Sequence, residues 1–274
     1  MYKGEGQTRT KPVTVRTLAK MKRDSEKFAV LTAYDASFAA ILEAAGVDVI
    51  LVGDSLGMVV QGRDTTIPVT MDDMVYHCRM VARGCRLPLL MADMPFLSYP
   101  NVDAALRNAG RLMQEGGAQM VKLEGDGGMA EIVRQLTRHG VPVCSHLGLL
   151  PQTVHKLGGY LVQGREEQAA RRMIDDALLL QDAGTDVLLV ECIPAELAGR
   201  LTAALDIPVI GIGAGPACDA QVLVLYDMLD ITLGRRPRFS SNFMANQHSV
   251  RGAVEAYVRA VKEGVFPGPE HCIA

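Results

Sequence analysis

The chain has 274 residues, with 28 Lys and Arg against 31 Asp and Glu, so its formal net charge is −3. Apolar residues make up 49% of the chain and aromatic residues 5%, and there is no Trp. These values are ordinary for a globular protein with a sizeable core. They exclude a disordered chain and a fibre, and they offer no basic surface for nucleic acid or anionic lipid.

The six cysteines are scattered along the chain without a CxxC pair, so they do not indicate a disulfide framework or a zinc finger. Cys144 and Cys192 lie in apolar runs, where a free cysteine behaves as a small buried apolar residue. Residues 1–13 lack the apolar segment of a signal peptide, and no apolar run approaches the roughly 18 residues that span a bilayer. We therefore expect a cytoplasmic protein without membrane or nucleic-acid partners, in which residues 1–13 form a flexible tail.

In chain order, the sequence repeats a short apolar run, a polar or glycine-rich break and a helical stretch. A short amphipathic helix at 14–22, with Thr14 as its N-cap, precedes the repeats. The predicted strands are 28–32, 47–52, 87–92, 119–123, 141–145, 186–190, 208–212 and a weaker eighth within 222–231. The predicted helices between them are 36–45, 103–115, 129–139, 168–182 and 195–205. An amphipathic helix at 253–263 follows the last unit.

The repeated units predict the fold class. Strands that are apolar throughout are typical of a parallel sheet covered on both faces. Glycine is the usual residue just past a helix end, so Gly46, Gly117 and Gly184 predict the ends of three helices. Alternating βα units build a doubly wound sheet or a closed barrel, and about 250 residues match a (βα)8 TIM barrel. We predict one barrel domain over 1–274, with the N-terminal helix on its floor; the doubly wound sheet is the alternative.

Ionisable residues close six of the seven clearest strands, at the end where a barrel carries its active site. They are Asp35, Asp54, Asp93, Lys122 with Glu124, His146 and Glu191. Asp35 or Asp54 could instead cap a helix, and Glu191 could pair with an arginine. Lys122 with Glu124 could be only a buried ion pair, and His146 a hydrogen-bonded core residue. Because charged residues are rarely buried without a partner, their shared position favours an active site.

The residue types in this set indicate a chemistry. Asp54, Asp93 and Glu124 would meet on one side of the barrel mouth, and oxygen donors without thiolates suit Mg²⁺ before Zn²⁺. Lys122 beside them could neutralise a substrate carboxylate or a developing oxyanion. Glu191, across the mouth, is placed to accept a proton. The set predicts an enolisation site, with a metal at a carbonyl oxygen and a base above the α-carbon.

Three glycine-bearing segments have weaker functional signals. The run 211–215 lacks the G-x-G-x-x-G spacing, so we favour close backbone packing there over a dinucleotide site. A phosphate site at this position of a barrel is the rival interpretation. Segments 60–63 and 162–165 share the sequence Val-Gln-Gly-Arg and follow the second and fifth strands, so they are lid candidates.

Longer motifs resemble those of the ketopantoate hydroxymethyltransferase (3-methyl-2-oxobutanoate hydroxymethyltransferase) family. They are VGDSLGM at 52–58 with VQG at 60–62, ADMPF at 92–96, VKLEG at 121–125, HLGL at 146–149 with PQ at 151–152, GGY at 158–160, VQGR at 162–165, ECIP at 191–194 and GIGAG at 211–215. The motifs keep the family's order, and the resemblance runs from about residue 14 to residue 271.

The resemblance implies a barrel of the phosphoenolpyruvate/pyruvate-binding superfamily type and a Mg²⁺-dependent activity. A hydroxymethyl group would pass from 5,10-methylenetetrahydrofolate to 3-methyl-2-oxobutanoate through a Mg-stabilised enolate. The product would be 2-dehydropantoate, on the route to pantothenate and coenzyme A. Bacterial members of the family assemble as decamers, so a homo-oligomer is expected.

The site residues implied by the resemblance follow from motif positions. Asp54, Asp93 and Glu124 match the ligands of one Mg²⁺ per subunit, and Glu191 matches the proton acceptor. The matched substrate-binding residues are Asp54, Ser55, Asp93, Lys122 and His146. No local motif indicates where the pterin ring of folate would bind, so the folate pocket stays unassigned.

Two other functions remain open at this point. A Mg²⁺-dependent lyase or mutase of the same superfamily would act on a 2-oxo or phosphonate acid. The Lys-Lys-Cys-Gly-His run of the isocitrate lyase branch does not occur in the sequence, which counts against this alternative. A catalytically silent barrel would only bind a ketoacid or assemble, but the ring of ionisable strand ends argues against it.

Overall fold

The computed structural model describes residues 10–273, and these residues form a closed barrel of eight parallel strands, each hydrogen-bonded to the next and the last to the first. The strands are β1 Phe28–Thr32, β2 Val49–Val52, β3 Leu89–Asp93, β4 Met120–Glu124, β5 Val143–Gly148, β6 Val187–Glu191, β7 Val209–Ile212 and β8 Ala220–Leu223. Closure of the sheet confirms the predicted barrel and rules out the doubly wound alternative.

Helices on the outside of the barrel follow every strand except β7, which is joined to β8 without one. In the described part of the chain the α-helices are α1 Val15–Arg23, α2 Ala36–Ala44, α3 Leu56–Val59, α4 Met71–Gly84, α5 Val102–Gln114, α6 Ala130–Arg138, α7 Val154–Leu157, α8 Glu167–Asp182, α9 Ala195–Ala204, α10 Leu225–Met228 and α11 Val250–Lys262. The chain runs through the strands in sequence order, so every strand end of one kind lies at the same end of the barrel.

Two apolar cores cover the two faces of the sheet. Inside the barrel, side chains such as Phe28 and Met91 pack together, and α1 adds Leu18 and Met21 to them from below. The second core lies between the strands and the outer helices and contains side chains of the opposite parity, such as Leu31. Because both faces are covered, the strands are apolar throughout and do not alternate with polar residues.

The N-terminal segment closes the barrel floor. The Thr14 side chain accepts a hydrogen bond from the N–H of Thr17 at 3.2 Å, which confirms Thr14 as the N-cap of α1. The prediction of a flexible tail up to residue 13 was wrong at Val13, which is fully buried in the inner core. Its N–H donates to the carbonyl oxygen of Leu87 at 2.7 Å. Residues 1–9 of the predicted tail lie outside the described residues.

Helix α4 and strand β8 are the main differences from the sequence prediction, besides the short helices α3, α7 and α10, which were not predicted. Helix α4 was not predicted, although Thr70 and Asp73 form a reciprocal capping box at its start. The eighth strand, Ala220–Leu223, begins before the predicted region 222–231, most of which forms α10 and the turn after it. A four-residue strand that contains the polar Gln221 is too short for its apolar pattern to mark its bounds.

Helix α11 belongs to the barrel instead of following it. The Tyr257 hydroxyl lies 3.0 Å from the carbonyl oxygen of Val30 and 2.9 Å from that of Gln221, so it bridges β1 and β8. Tyr257 is fully buried between these strands and the ring of Phe243. The helix therefore covers the seam where the barrel closes.

Glycine ends three outer helices as predicted. Gly46, Gly117 and Gly184 follow α2, α5 and α8 and have φ angles of 84°, 82° and 106°. This left-handed backbone conformation is costly for residues with a Cβ atom. Each glycine therefore lets the chain turn from a helix into the next strand.

All six cysteines are free in the described structure. Cys144 and Cys192 are buried, and burial raises the pKa of the Cys144 thiol to about 12. These thiols are therefore packing residues and not nucleophiles. Among the described helices, none combines the length and apolar character that crossing a bilayer requires.

Candidate active site

A cavity of about 810 Å³ opens at the carboxyl ends of the barrel strands. It brings together every residue predicted for the site, and the residues concerned are Asp54, Ser55, Asp93, Lys122, Glu124, His146 and Glu191. Asp35 does not line it, because its carboxylate accepts a hydrogen bond from the N–H of Phe38 at 2.9 Å and caps α2. For Asp35 the helix-cap alternative is therefore confirmed.

Asp93 and Lys122 form a buried ion pair on adjacent strands. They lie opposite each other in the register of β3 and β4, and Lys122 Nζ is 2.7 Å from Asp93 Oδ1. Burial alone would lower the pKa of Lys122, but the surrounding carboxylates of Asp93, Glu124 and Asp54 raise it above its ordinary value. The ammonium group therefore stays charged at neutral pH.

Asp54 and Glu124 are buried beside this pair and are linked by Gln152. Burial, and then the charge of Asp93, raise the pKa of Asp54 to about 7. Burial, and then the charge of Asp54, raise the pKa of Glu124 well above its ordinary value. Gln152 Nε2 donates to Asp54 Oδ2 at 2.9 Å, and its backbone N–H donates to Glu124 Oε2 at 3.0 Å. The cavity thus contains more carboxyl groups than cationic groups.

His146 and Glu191 face this charged group from β5 and β6. His146 Nε2 lies 3.3 Å from Glu191 Oε2, and Nδ1 lies 3.7 Å from Glu124 Oε1. Burial and the nearby charge of Lys122 lower the pKa of His146 well below its ordinary value, so the imidazole is neutral. Neither ring nitrogen has a hydrogen-bond partner within the described residues, although the side chain is buried. Two unsatisfied polar atoms therefore lie beside the cavity.

Glu191 has the properties of a base with high proton affinity. Burial raises its pKa to about 8, Lys122 lowers it, and Asp54 and Asp93 raise it. It makes no ion pair with an arginine in the described residues, so that alternative is not realised. A carboxylate of this kind holds a proton more firmly than a surface glutamate does.

Close backbone packing brings Ser55 into the site. The Ser55 and Tyr34 hydroxyls are 2.9 Å apart. A Cβ atom on Gly53 would lie only 2.7 Å from Ser55 Oγ, so glycine is needed for this approach. Gly211 is similarly restricted, because its Cβ would lie 2.8 Å from Cys218 Sγ. Close packing of the 211–215 run is thereby confirmed.

The donor set fits a hard cation by its chemistry. Asp54, Asp93 and Glu124 offer carboxylate oxygens alone, and a cation would offset charges that burial disfavours. Both oxygens of Asp93 already accept hydrogen bonds or an ion pair, from the Asp54 N–H and from Lys122. Within residues 10–273, no three His, Cys, Asp or Glu side chains are arranged to hold a metal by themselves. Mg²⁺ commonly takes one or two carboxylates and keeps several waters, which suits this arrangement.

Sequence reasoning missed two parts of the site. Gln152, 5% exposed, connects two carboxylates. It belongs to the PQ motif at 151–152 that follows the His146 strand, but the resemblance gave it no role in the site. The segment around Leu233, Arg235 and Phe239 lines the cavity mouth but follows the last strand without any motif. Both lid candidates reach the mouth, through Gly62 and Arg63 in one and Val162 in the other.

Solved structures of other proteins share this barrel fold. A 2,3-dimethylmalate lyase, described as a phosphoenolpyruvate mutase/isocitrate lyase superfamily member, has a TM-score of 0.52 to this chain at 18% identity. The similarity covers 72% of this chain and 70% of that chain. At this identity the similarity shows the shared barrel fold alone.

Sequence comparison is more specific. Residues 12–269 match the family model for ketopantoate hydroxymethyltransferase. A 3-methyl-2-oxobutanoate hydroxymethyltransferase from Alkalilimnicola ehrlichii is 60% identical over 271 residues, covering 99% of this chain and 98% of that protein. One from Nitrosococcus oceani is 61% identical over 255 residues, covering 93% and 97%. The chain therefore belongs to the ketopantoate hydroxymethyltransferase family.

Proposed function

We propose that this enzyme transfers a hydroxymethyl group from 5,10-methylenetetrahydrofolate to 3-methyl-2-oxobutanoate, giving 2-dehydropantoate for pantothenate synthesis. One observation carries the proposal: Glu191 and the unsatisfied His146 face the Asp93–Lys122 pair and two more buried carboxylates across one cavity. A base opposite a group that stabilises negative charge is the arrangement that enolisation of a ketoacid needs. The names of the family's members supply the substrate.

The metal in this proposal is Mg²⁺, one per subunit, held by Asp54, Asp93 and Glu124. Asp54 and Glu124 are the better candidates for direct contact, since Asp93 has both oxygens engaged by Lys122 and a backbone N–H. When bound, Mg²⁺ would stabilise negative charge on the keto oxygen of the substrate. It would also reduce the repulsion among the buried carboxylates.

The protein's own groups bind and orient the ketoacid. The Lys122 ammonium offsets the substrate carboxylate, and the Ser55 hydroxyl and the neutral His146 offer hydrogen bonds. Apolar side chains such as Leu149 and Leu189 line the cavity and suit the branched methyl groups. Glu191 then removes the proton from the branched carbon, and the resulting enolate forms a carbon–carbon bond to the methylene carbon of the folate. Water supplies the hydroxyl group of the product. The two carbon–nitrogen bonds to the methylene carbon break, and tetrahydrofolate leaves after its nitrogen takes up a proton.

The cavity has room for a second and larger substrate. Its volume of about 810 Å³ lies toward the upper part of the range of roughly 300–1,000 Å³ for small-molecule sites, whereas the ketoacid has few heavy atoms. Met58, Tyr160 and Leu233 line the mouth, and the side chains of Tyr160 and Leu233 are exposed. This apolar rim is the surface we assign to the folate donor.

Hydrogen exchange tests the proposal at its first step. With Mg²⁺ and 3-methyl-2-oxobutanoate in D₂O, and no folate, we expect loss of the methine proton signal in NMR spectra. Chelation with EDTA should stop the exchange, and Mg²⁺ should restore it. Exchange that is absent with Mg²⁺, or unchanged after thorough chelation, would contradict the proposed chemistry. Carbon–carbon cleavage of the acid would instead favour a lyase.

Assembly and location complete the proposal. The family resemblance implies a homo-oligomer, a decamer, acting in the cytoplasm with the ketoacid and folate as its small-molecule partners. Sedimentation velocity at micromolar concentration should give a mass several times that of one chain. A monomer under these conditions would contradict the proposed assembly but not the chemistry of the site.

A further inference from the structure

Gln152 is buried beside Asp54 and Glu124, two of the carboxylates that line the cavity, and it lies in the 3₁₀ turn Pro151–Thr153 that follows β5. Its side-chain Nε2 lies 2.9 Å from Asp54 Oδ2 and 2.9 Å from the carbonyl oxygen of Met94. Its Oε1 accepts a hydrogen bond from the Tyr99 hydroxyl at 2.7 Å. Every polar atom of this amide therefore has a protein partner.

These partners permit only one orientation of the amide. A flipped amide would place Oε1 against the Asp54 carboxylate and the Met94 carbonyl, both of which are acceptors. The Tyr99 hydroxyl accepts from the Glu124 N–H at 3.1 Å. Its single proton has two acceptors within reach, and Gln152 Oε1 at 2.7 Å is closer than the carbonyl oxygen of Glu124 at 3.2 Å. The hydrogen bond from the Tyr99 hydroxyl therefore holds the amide with Nε2 directed at Asp54.

The same residue also holds the carboxylate of Glu124. The Gln152 backbone N–H donates to Glu124 Oε2 at 3.0 Å, while its side chain donates to Asp54. Asp54 follows β2 and Glu124 ends β4, so Gln152 spans the strand between them. One residue therefore sets the relative position of two buried carboxylates that repel each other.

We propose that Gln152 is a positioning residue that holds Asp54 and Glu124 in the arrangement in which both act on one divalent cation. This inference rests on the proposed function, which supplies the cation. A neutral amide is suited to the task, because a lysine or arginine there would cancel the negative charge that attracts a cation. Partners of this kind orient ligands without touching the metal.

The test measures binding of Mn²⁺ alone, by electron paramagnetic resonance of the metal-free protein without substrate. Gln152→Met keeps the length of the side chain but removes both N–H donors and the acceptor. Loss of an orienting partner typically weakens metal binding by about 10–100-fold, and we expect a weakening of this size. Tyr99→Phe keeps Gln152 but frees its amide, so a smaller weakening is expected.

Gln221→Met is the matched control, because Gln221 is also buried and donates its amide to a backbone carbonyl, that of Gly215, at 3.0 Å. We expect it to lower the melting temperature without changing Mn²⁺ affinity. Equal weakening in both glutamine variants would overturn the positioning role, because it would mean a general structural effect. Unchanged affinity in Gln152→Met would do the same.

The outcomes also separate this inference from the proposed function. If the wild-type protein binds no Mn²⁺, the proposed metal site is wrong and the inference fails with it. If the wild type binds Mn²⁺ and the variants bind it equally well, only the role of Gln152 is wrong. Should Gln152→Met fail to fold, Tyr99→Phe decides, and wild-type Mn²⁺ affinity in that variant would overturn the inference.

Discussion

Replacing Glu191 by Gln is expected to slow turnover by about 10²–10⁴-fold, the usual contribution of a general base. The amide keeps the shape of the side chain and its approach to His146, 3.3 Å away, but it cannot accept the substrate proton. Glu191 is not among the carboxylates that contact Gln152 or Lys122, so divalent-cation affinity should stay near the wild-type value. Exchange of the methine proton into D₂O should fall in parallel with turnover.

Two further variants serve as comparisons for Glu191→Gln. Glu196→Gln, on the exposed side of the next helix, removes the same charge outside the cavity and should leave exchange unchanged. Asp54→Asn should instead weaken both cation and ketoacid binding, because Asp54 is one of the three carboxylates proposed to hold the cation. Deuterium exchange at the wild-type rate in Glu191→Gln would exclude Glu191 as the base. His146 would then be the next candidate, since it is the neighbouring proton acceptor.

The pH dependence of kcat/KM should also be set by Glu191. Glu191 acts as a base only when it is deprotonated, and its pKa is raised to about 8 by burial. The kcat/KM value should therefore rise with pH through the Glu191 pKa, at a pH that a bound cation moves downward. In Glu191→Gln this ascending limb should disappear from the residual activity.

The charged part of the site is predictable from the sequence because barrel topology links position to function. Each apolar run ends where its strand leaves the sheet, so the order of residues alone places Asp93, Lys122 and Glu191 at one end of the barrel. The carboxylate of Asp35 shows the limit of this reasoning. It occupies the same place after its strand, but the helix that follows begins one residue later and takes it as a cap.

The uncharged part of the site is not predictable in this way. Gln152 has no charge, no periodicity and no place at a strand end, and its role arises only when β2, β4 and the loop after β5 meet in space. Helix α4 was missed for a different reason. The segment before it contains the glycine-bearing loop at 60–63, whose pattern is typical of a long loop and masks the Thr70 capping box that follows.

Lys122→Met is expected to impair both catalysis and stability, and the stability loss should depend on pH. Without the ammonium group the ketoacid carboxylate loses its counter-charge, and we expect kcat/KM to fall by about 10²–10³-fold, the usual loss for one charge-stabilising donor. Lys20→Met, on the barrel floor, removes a surface lysine that pairs with Asp24 among the residues the structure describes, and it should change neither property. Ketoacid turnover and urea unfolding of the metal-free protein measure the two effects.

The stability lost in Lys122→Met should depend on pH because the Lys122 ammonium offsets the charge of nearby carboxylates. The folded-state pKa of Asp54 is about 7, above its ordinary value of 3.8, and Lys122 acts to lower it. A raised pKa means that the folded protein binds the proton more tightly than the unfolded chain does, so this contribution to stability is present at low pH and is lost as pH rises through 7.

Removing Lys122 raises the pKa of Asp54 further and leaves Asp93 without its partner at 2.7 Å. Breaking a buried ion pair in this way typically costs about 3–5 kcal/mol, and we expect a cost of this size at pH 8 and a clearly smaller one at pH 5. Equal destabilisation at the two pH values would mean that Lys122 stabilises the barrel by packing and not by its charge.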